Sequence, residues 1–245
     1  GSSEDHYEKI PFDIVDWDDP EERRRNVEDE LIELVEQLPE DATIFDVGCG
    51  PGRIAIPFLD QGRQVVPIDL TREALDHVAH FCDVPLIRGS ALNLPVQDGV
   101  ADLAISTGVL HHTPDPRQGI AENCRILKPG GRLYLRLFNR DGYYKYMYCW
   151  LGGAMRALRR TGKPGRLLVD GGMFQVYRRL RGLKSGDRVP TEKVRGVFVN
   201  YFLKDMVQLM SRQEVESCLA TANMHIDSYA VKGTMHCYVA TREDG

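Results

Sequence analysis

Apolar residues in the first half of the chain recur at two spacings, which predict strands and helices in alternation. Helical spacing of apolar side chains predicts a helix over residues 20–38, which begins at one proline and ends before another. Strands are predicted over residues 43–47, 64–69, 85–88, 101–106 and 132–138, and further helices over residues 53–61, 72–81 and 116–127. This alternation is typical of a parallel sheet covered by helices on both faces.

The alternation stops after residue 138 and returns near the C-terminus. Residues 139–205 are rich in aromatic and basic residues and are interrupted by glycines. A helix is then predicted over residues 211–222, and two antiparallel strands over residues 225–231 and 236–241. The chain therefore divides into an N-terminal flap and helix (residues 1–39), a sheet core (40–138), an insert (139–205) and the closing elements of the core (206–245).

Length and composition place the chain among ordinary globular proteins. It has 245 residues, of which 42% are hydrophobic and 27% are charged. No apolar run reaches the roughly 20 residues that a membrane-spanning helix needs. The six cysteines form no CxxC pair, which predicts reduced thiols, a cytoplasmic location and no metal site.

The net charge of −5 conceals a strong asymmetry along the chain. Residues 1–138 hold 13 Lys and Arg against 26 Asp and Glu, and residues 206–245 hold 3 against 5. Residues 139–205 hold 15 against 5, a net charge of +10. The insert is thus a basic segment on an acidic body, and its charge requires a physical or functional reason.

A glycine-rich loop joins the first predicted strand to the following helix. It reads Asp46-Val47-Gly48-Cys49-Gly50-Pro51-Gly52, and its glycines permit a tight turn and a close approach of a ligand to the backbone. The next strand ends at Asp69, 19 residues after Gly50. A carboxylate at this position accepts hydrogen bonds from the two ribose hydroxyls of a nucleoside. The pattern predicts a nucleoside-containing ligand.

Further motifs follow in order along the chain. They are Gly89-Ser90-Ala91-Leu92 after the third strand, Ser106 to His112 after the fourth, and Leu127-Lys128-Pro129-Gly130-Gly131 before the fifth. With the glycine loop and Asp69, they resemble class I S-adenosylmethionine-dependent methyltransferases of the broad small-molecule type, similar to methyltransferase type 11. The resemblance covers about residues 40–138, and the elements at 206–241 are compatible with it. It implies a Rossmann-like, doubly wound sheet of seven strands, one of them antiparallel, with the insert as a largely helical lid.

The resemblance also implies which residues bind S-adenosylmethionine and its product S-adenosylhomocysteine. The cofactor-binding residues that it implies are Asp46, Gly48, Cys49, Gly50, Gly52, Arg53, Asp69, Leu70, Ser90, Ala91, Leu92, Thr107 and Gly108. Two positions depart from the family pattern. Ser90 stands where an aspartate is common, and Pro67 lies inside the second strand, where a local irregularity is expected.

Methyl transfer from a sulfonium mainly requires alignment of the acceptor and exclusion of water. His111 and His112 follow the fourth strand, at the edge where open α/β sheets form their sites, and they are the candidate catalytic residues. A structural role as a helix cap or as cofactor packing remains the alternative for this pair. The N-terminal Tyr7, Phe12 and Trp17 are candidates for a flap over the cofactor.

The insert allows several interpretations. As a lid over a small acceptor, it would line the pocket with Tyr143, Tyr144 and Tyr146 and bind an anionic group with Arg159 and Arg160. Alternatively it docks on RNA. It could also lie on a membrane, where Met155, Leu158, Leu167 and Leu168 would form an interfacial helix reaching a lipid-linked acceptor. A purely structural role of the charges stays open beside these.

The sequence therefore favours an enzyme that methylates a small molecule, including anionic ones, in a biosynthetic pathway. The methylated atom (O, N or C) and the oligomeric state remain open. Dinucleotide binding is disfavoured because the loop reads GxGxG and not GxGxxG. Nucleic acid is disfavoured because the chain has neither the Asn/Asp-Pro-Pro-Tyr/Phe motif nor a Pro-Cys pair. A non-catalytic cofactor-binding scaffold is the remaining hypothesis.

Overall fold

Seven strands form one mixed sheet in the computed structural model, which describes residues 17–185, 191–204 and 206–244. The strands are β1 (Thr43–Val47), β2 (Gln64–Asp69), β3 (Ile87–Arg88), β4 (Ala101–Thr107), β5 (Leu127–Phe138), β6 (Met224–Lys232) and β7 (Met235–Arg242). Their order is β3-β2-β1-β4-β5-β7-β6, and β7 runs antiparallel to β5 on one side and to β6 on the other. The predicted doubly wound sheet of seven strands with one antiparallel strand is confirmed.

Helices flank the sheet and build the insert. Those outside the insert are α1 (Pro20–Arg25), α2 (Asp29–Glu36), α3 (Ala55–Leu59), α4 (Arg72–Phe81), α5 (Pro116–Arg125) and α11 (Arg212–Thr221). Those of the insert are α6 (Tyr144–Tyr146), α7 (Gly153–Arg159), α8 (Lys163–Arg166), α9 (Phe174–Ser185) and α10 (Thr191–Phe198), with π-helical turns at Met147–Gly152, Leu167–Met173 and Val199–Leu203. Within the described residues, no helix combines the length and apolar character needed to cross a membrane.

Both faces of the sheet are buried, because successive side chains of a strand point to opposite faces. On β4, Leu103 and Ile105 pack with residues of α2 and α3. On β5, Leu133 and Leu135 pack into a second cluster with residues of α5 and α11. Burial on both faces fixes the register of the strands. Because β1 pairs in parallel with β2 and with β4, the carboxyl ends of these three strands lie together at one end of the sheet.

Three predicted elements differ from the structure. The helix expected over residues 20–38 is two helices, because the Asn26 side chain bonds the Glu22 carbonyl and caps α1. The third strand has only two residues. Strand β5 begins at Leu127 and not at residue 132, with a register shift opposite Ala101 and Leu103 on β4.

The irregularity expected at Pro67 is absent from the pairing of β1 with β2. Asp46 pairs with Pro67 and Val47 with Ile68 in an unbroken parallel register. On its other side, β2 pairs with β3 only through Ile68 and Asp69. Pro67 therefore lies beyond the end of that pairing, where no neighbouring strand requires its missing N–H.

The insert has its own hydrophobic cluster. Buried residues of this cluster are Met155, Val169, Phe174, Val194, Phe198, Phe202 and Leu203. Within the insert, the Tyr148 hydroxyl donates a hydrogen bond to the Lys204 carbonyl, 2.9 Å long. The insert contacts the sheet where Tyr144 and Tyr148 pack with Phe138 at the end of β5. Its helical character agrees with the prediction, and its end is held next to the core.

Candidate functional site

A cavity of about 370 Å³ opens at the carboxyl ends of β1, β2 and β4. Strand order reverses between β1 and β4, and open α/β sheets bind ligands at such a point. The cavity is lined by Asp46, Gly48, Cys49, Gly50, Pro51, Arg53, Ile54, Asp69, Leu70, Thr71, Ala74, Gly89, Ser90, Ala91, Leu92, Thr107, Gly108, Val109, His112, Thr113, Pro114 and Lys204. Its volume suits a ligand the size of a nucleoside derivative.

The glycine loop leaves β1 and turns across the end of β2. The N–H groups of Gly48 and Cys49 both donate to the Ile68 carbonyl, at 2.7 and 3.0 Å. Gly48 has φ +77°, and a Cβ there would lie 2.4 Å from Cγ2 of Val109. Only glycine satisfies both the backbone conformation and the close approach of the β4 loop.

Asp69 stands at the end of β2 in a fixed orientation. Its Oδ2 accepts a hydrogen bond from the Gly50 N–H at 2.9 Å. Its Oδ1 accepts from the N–H and the hydroxyl of Thr71, at 2.9 and 2.8 Å. These three donors hold the carboxylate against the cavity, so its remaining lone pairs are oriented for the hydroxyls of a bound sugar.

Asp46 is buried beneath the glycine loop. Burial raises the pKa of Asp46 to about 7, against a lowering by Arg53 and with a smaller contribution from Asp69. Within the described residues its Oδ2 has no hydrogen-bond partner. Arg53 is fixed by hydrogen bonds to the Asn26 carbonyl at 2.6 Å and the Thr107 hydroxyl at 3.2 Å. A buried carboxylate with an unsatisfied oxygen at a cavity wall suits a cationic group of a ligand.

The turn after β3 forms another part of the wall. The Ser90 hydroxyl accepts a hydrogen bond from the Leu92 N–H at 3.2 Å, which closes the turn. Leu70 and Ala91 add apolar surface to the same cavity. This combination of a polar edge and apolar faces is suited to a planar base.

The loop after β4 and the end of the insert meet at the cavity. The Gln208 N–H donates to the His111 carbonyl at 2.7 Å, and Nδ1 of His112 lies 3.3 Å from the Met206 carbonyl oxygen. These contacts fix the segment after Lys204 against the β4 loop. Lys204 lines the cavity while only 8% exposed, and burial lowers the pKa of its ammonium to about 8.

His111 does not line the cavity, although it was predicted with His112 as a catalytic candidate. It is fully buried, and its Nδ1 accepts a hydrogen bond from the Phe138 N–H at 3.3 Å. Burial lowers the pKa of His111 well below its usual value, with further lowering by His112 and Lys204. A neutral imidazole in this position supports the end of β5 and has no access to a ligand.

The structure brings the predicted cofactor residues to this one cavity, with one exception. Gly52 lies behind the loop, where a Cβ would stand 2.7 Å from Ile56 and 2.9 Å from Val78. Trp17 packs edge-on against His77 with ring centroids 4.7 Å apart, away from the cavity wall. The other two flap residues, Tyr7 and Phe12, lie outside the described residues.

None of the five predicted acceptor-binding residues lines the cavity. Tyr144 is fully buried against Phe138, with ring centroids 4.3 Å apart. Tyr143 and Tyr146 point outward and are exposed. Arg159 forms an ion pair with Asp170 at 3.0 Å, and Arg160 is exposed where α7 ends. The aromatic and basic composition of the insert predicted contact with the acceptor. The side chains of a helix point in different directions, however, and these five face the interior of the protein or its surface.

Several residues that line the cavity were not predicted from the sequence, and Lys204 has the most distinct chemistry among them. It follows the last π-helical turn of the insert, 92 residues after His112. No motif marks it, because its position depends on how the insert packs back on the sheet. Among the residues that the structure describes, no cluster of three His, Cys, Asp or Glu side chains could hold a metal ion.

Comparison with known proteins shows what this chain is similar to. The family described as methyltransferase domain matches residues 45–135. An uncharacterized methyltransferase of Mycobacterium sp. (strain JLS) is 34% identical over 135 residues, which are 53% of this chain and 54% of that protein. The chain therefore spans about half the length of the curated relatives it matches.

Solved structures share the fold. A SAM-dependent methyltransferase from Methanosarcina mazei aligns with a TM-score of 0.56 and 20% identity, covering 87% of this chain and 98% of the other. Magnesium protoporphyrin IX methyltransferase from Synechocystis, with bound SAM, aligns with a TM-score of 0.53 and 13% identity, covering 90% and 79%. At these identities the likeness shows the fold of the chain.

Proposed function

We propose that this chain is a class I S-adenosylmethionine-dependent methyltransferase, which transfers a methyl group from that cofactor to a small-molecule acceptor. The observation that carries the proposal is the shared cavity of Asp69 with His112 and Lys204. Asp69 ends β2, and His112 follows β4, on the other side of β1. A nucleoside and a second reactant therefore have separate sets of polar groups along one cavity.

The residues present fit S-adenosylmethionine. Asp69 suits the ribose hydroxyls, Leu70, Ser90 and Ala91 suit the adenine, and the unsatisfied Oδ2 of Asp46 suits an ammonium group. The glycines of the loop have no side chains, so the backbone of Gly48 and Gly50 is accessible to the methionine half of the cofactor. When bound, the cofactor supplies an electrophilic methyl group on a sulfonium.

The chain's own residues hold the acceptor and exclude water. Lys204 is the residue that we assign to the acceptor, in place of the five insert residues predicted from sequence. Its protonated Nζ attracts an anionic group, while its neutral form accepts a proton from an acceptor hydroxyl or ammonium group. His112, on the β4 loop, is the second candidate for proton transfer. His111 is not, because it has no access to the cavity.

Replacement of Asp69 tests the cofactor site. We expect Asp69→Ala to weaken binding of S-adenosylhomocysteine about tenfold, because charge-assisted hydrogen bonds to the ribose are lost. Isothermal titration calorimetry on the purified chain measures this affinity. The matched control is Asp76→Ala, which removes an exposed carboxylate on α4 that pairs only on the surface with Arg72. Equal affinities of the Asp69 variant and the parent would contradict the placement of the ribose.

Replacement of Lys204 tests the acceptor side. We expect Lys204→Met to lower methyl transfer at least tenfold while affinity for S-adenosylhomocysteine changes less than twofold. Transfer is measured as label passing from radiolabelled S-adenosylmethionine to the low-molecular-weight fraction of a cell extract. Lys232→Met, on the outermost strand β6 and paired with Glu30 of α2, is the control. Label entering only macromolecules would overturn the small-molecule proposal.

A further inference from the structure

Two continuous helical segments form a hairpin in the insert. Residues 144–159 comprise α6, a π-helical turn and α7, and residues 163–185 comprise α8, a second π-helical turn and α9. Arg160, Thr161 and Gly162 join them, and the segments contact each other. We call residues 144–185 the insert hairpin.

The inward face of the second segment is well packed. Val169 and Phe174 are buried in the cluster of the insert, and Tyr177 packs partly against it. Since these residues recur at helical spacing, the opposite face of the segment points away from the protein. A segment on the surface of a globular protein is expected to be polar on that side.

The outward face of this segment is apolar instead. Leu168, Val176 and Leu180 follow one another at spacings of eight and four residues and are 53%, 58% and 60% exposed. Cδ1 of Leu168 lies 3.5 Å from where a Cβ on Gly172 would stand, so the leucine lies along the helix over that glycine. Leu167 beside it is 76% exposed. Four large aliphatic side chains thus form an exposed strip.

The first segment also exposes large apolar side chains. Tyr146 and Trp150 stand four residues apart, and Trp150 is 77% exposed. Tyr144 and Tyr148, also four apart, are buried on the other side of the same segment. Tyrosine and tryptophan are the residues that favour the boundary between water and lipid.

Positive charge accompanies these apolar side chains. Residues 144–185 contain 10 Lys and Arg and a single acidic residue, Asp170, which pairs with Arg159. Lys145, Lys163, Arg166, Arg178 and Arg179 are exposed. The remainder of the chain is strongly acidic, so the positive field is concentrated on this hairpin.

We propose that the outward face of the insert hairpin binds the surface of an anionic phospholipid bilayer and lies in its interfacial plane. Aliphatic side chains enter the boundary of the acyl chains, Trp150 and Tyr146 lie at the level of the headgroups, and Lys and Arg contact lipid phosphates. A nucleic acid would use the charges but would leave Leu167, Leu168, Val176 and Leu180 in water. The proposal does not depend on which reaction the cavity performs.

The test uses the full chain and lipid vesicles. Trp17→Phe leaves Trp150 as the remaining tryptophan, because the chain has two. We expect vesicles of phosphatidylcholine mixed with phosphatidylglycerol to shift Trp150 emission to the blue and to co-sediment the protein. Vesicles of phosphatidylcholine alone should bind at least tenfold more weakly, and added salt should weaken binding to the anionic ones.

A triple variant separates insertion from simple charge attraction. Leu168→Ser with Val176→Ser and Leu180→Ser should weaken binding to the anionic vesicles about tenfold, while affinity for S-adenosylhomocysteine stays unchanged. Val231→Ser, an exposed apolar residue on β6, should have no effect. Absence of vesicle binding overturns the proposal, and so does binding that the triple variant leaves intact. A dimer in solution that the triple variant dissociates would assign the face to a second copy and overturn it as well.

Discussion

Gly48→Ala should lower affinity for S-adenosylhomocysteine more than 100-fold and lower the free energy of unfolding by about 2–5 kcal/mol. Two separate physical effects add at this position. Gly48 has φ +77°, a conformation that an alanine adopts only with strain. The new Cβ would also lie 2.4 and 2.5 Å from the two methyl carbons of Val109, so one of the two loops must move.

The loss of affinity follows from which residues would move. Val109 belongs to the loop after β4, and its neighbours Thr107 and Gly108 line the cavity. Displacing either loop changes the distance between the β1 and β4 sides of the site. Because a cofactor spanning both sides binds through groups on each, a shift of a few tenths of an ångström misaligns several contacts together.

Two variants separate strain from steric overlap. Gly62→Ala is matched in backbone conformation, with φ +78° and no atom within 4 Å of its Cβ, and should cost only about 1 kcal/mol. Adding Val109→Ala to Gly48→Ala should recover part of the lost affinity. Calorimetry and chemical denaturation measure both quantities. If Gly48→Ala bound as tightly as the parent, the glycine loop would not be the cofactor cradle.

Much of the sheet and of the cofactor side could be predicted, because local sequence determines both. In the loop from Asp46 to Gly52, Gly48, Gly50 and Gly52 all have positive φ, a conformation that favours glycine, so the loop is recognisable from its glycines. Asp69 follows at the end of the next strand. Short apolar runs, alternating with helical segments, predicted the strands of a sheet that is buried on both faces. In these regions the residues that form a feature are close together in the chain, so spacing alone is informative.

The acceptor side could not be predicted, since it depends on long-range packing. Lys204 reaches the cavity because the insert folds back and Tyr148 holds its carbonyl, a contact across 56 residues. From composition alone, Tyr143, Tyr144 and Tyr146 were predicted to line the pocket together. Because they point in different directions around the helix, Tyr144 is buried and the other two are exposed. The break between α1 and α2 was missed because apolar spacing continues through it.

The insert connects the two proposals physically. Its inner side carries Tyr148, which fixes Lys204 at the cavity, and its outer side carries the exposed face of Trp150 and the aliphatic strip. Tyr148 and Trp150 lie in the same π-helical turn. A bilayer bound to the outer face would therefore contact the π-helical turn that positions Lys204. In that turn Trp150 is two residues from Tyr148, whose hydroxyl bonds the Lys204 carbonyl.

Asp46→Asn should weaken S-adenosylhomocysteine binding about 100-fold at alkaline pH and much less at acidic pH. The pKa of Asp46 is raised to about 7 by burial, so the parent carboxyl is ionised above that pH and neutral below it. Only the ionised form attracts the ammonium group of the ligand. Affinity of the parent should therefore rise with pH until about 7 and then level, whereas affinity of the Asn variant should not follow this course.

Stability should change with the opposite sign, which separates binding from folding. Between the ordinary aspartate pKa of 3.8 and the raised pKa of about 7, the folded state keeps a proton on Asp46 that the unfolded state has lost. Stability of the parent therefore falls as pH rises through that window, by at most about 4 kcal/mol, and Asp46→Asn removes this fall.

Asp102→Asn is the control for this pair of measurements. Burial alone would raise the pKa of Asp102, but hydrogen bonds from Lys128 and the Thr43 N–H outweigh it and lower the pKa. The parent thus loses the Asp102 contribution as pH falls through that lowered pKa, and the substitution should leave ligand affinity unchanged. Calorimetry and denaturation across pH measure both variants. An Asp46→Asn chain that binds as tightly as the parent at alkaline pH would show that this carboxylate does not face the ligand.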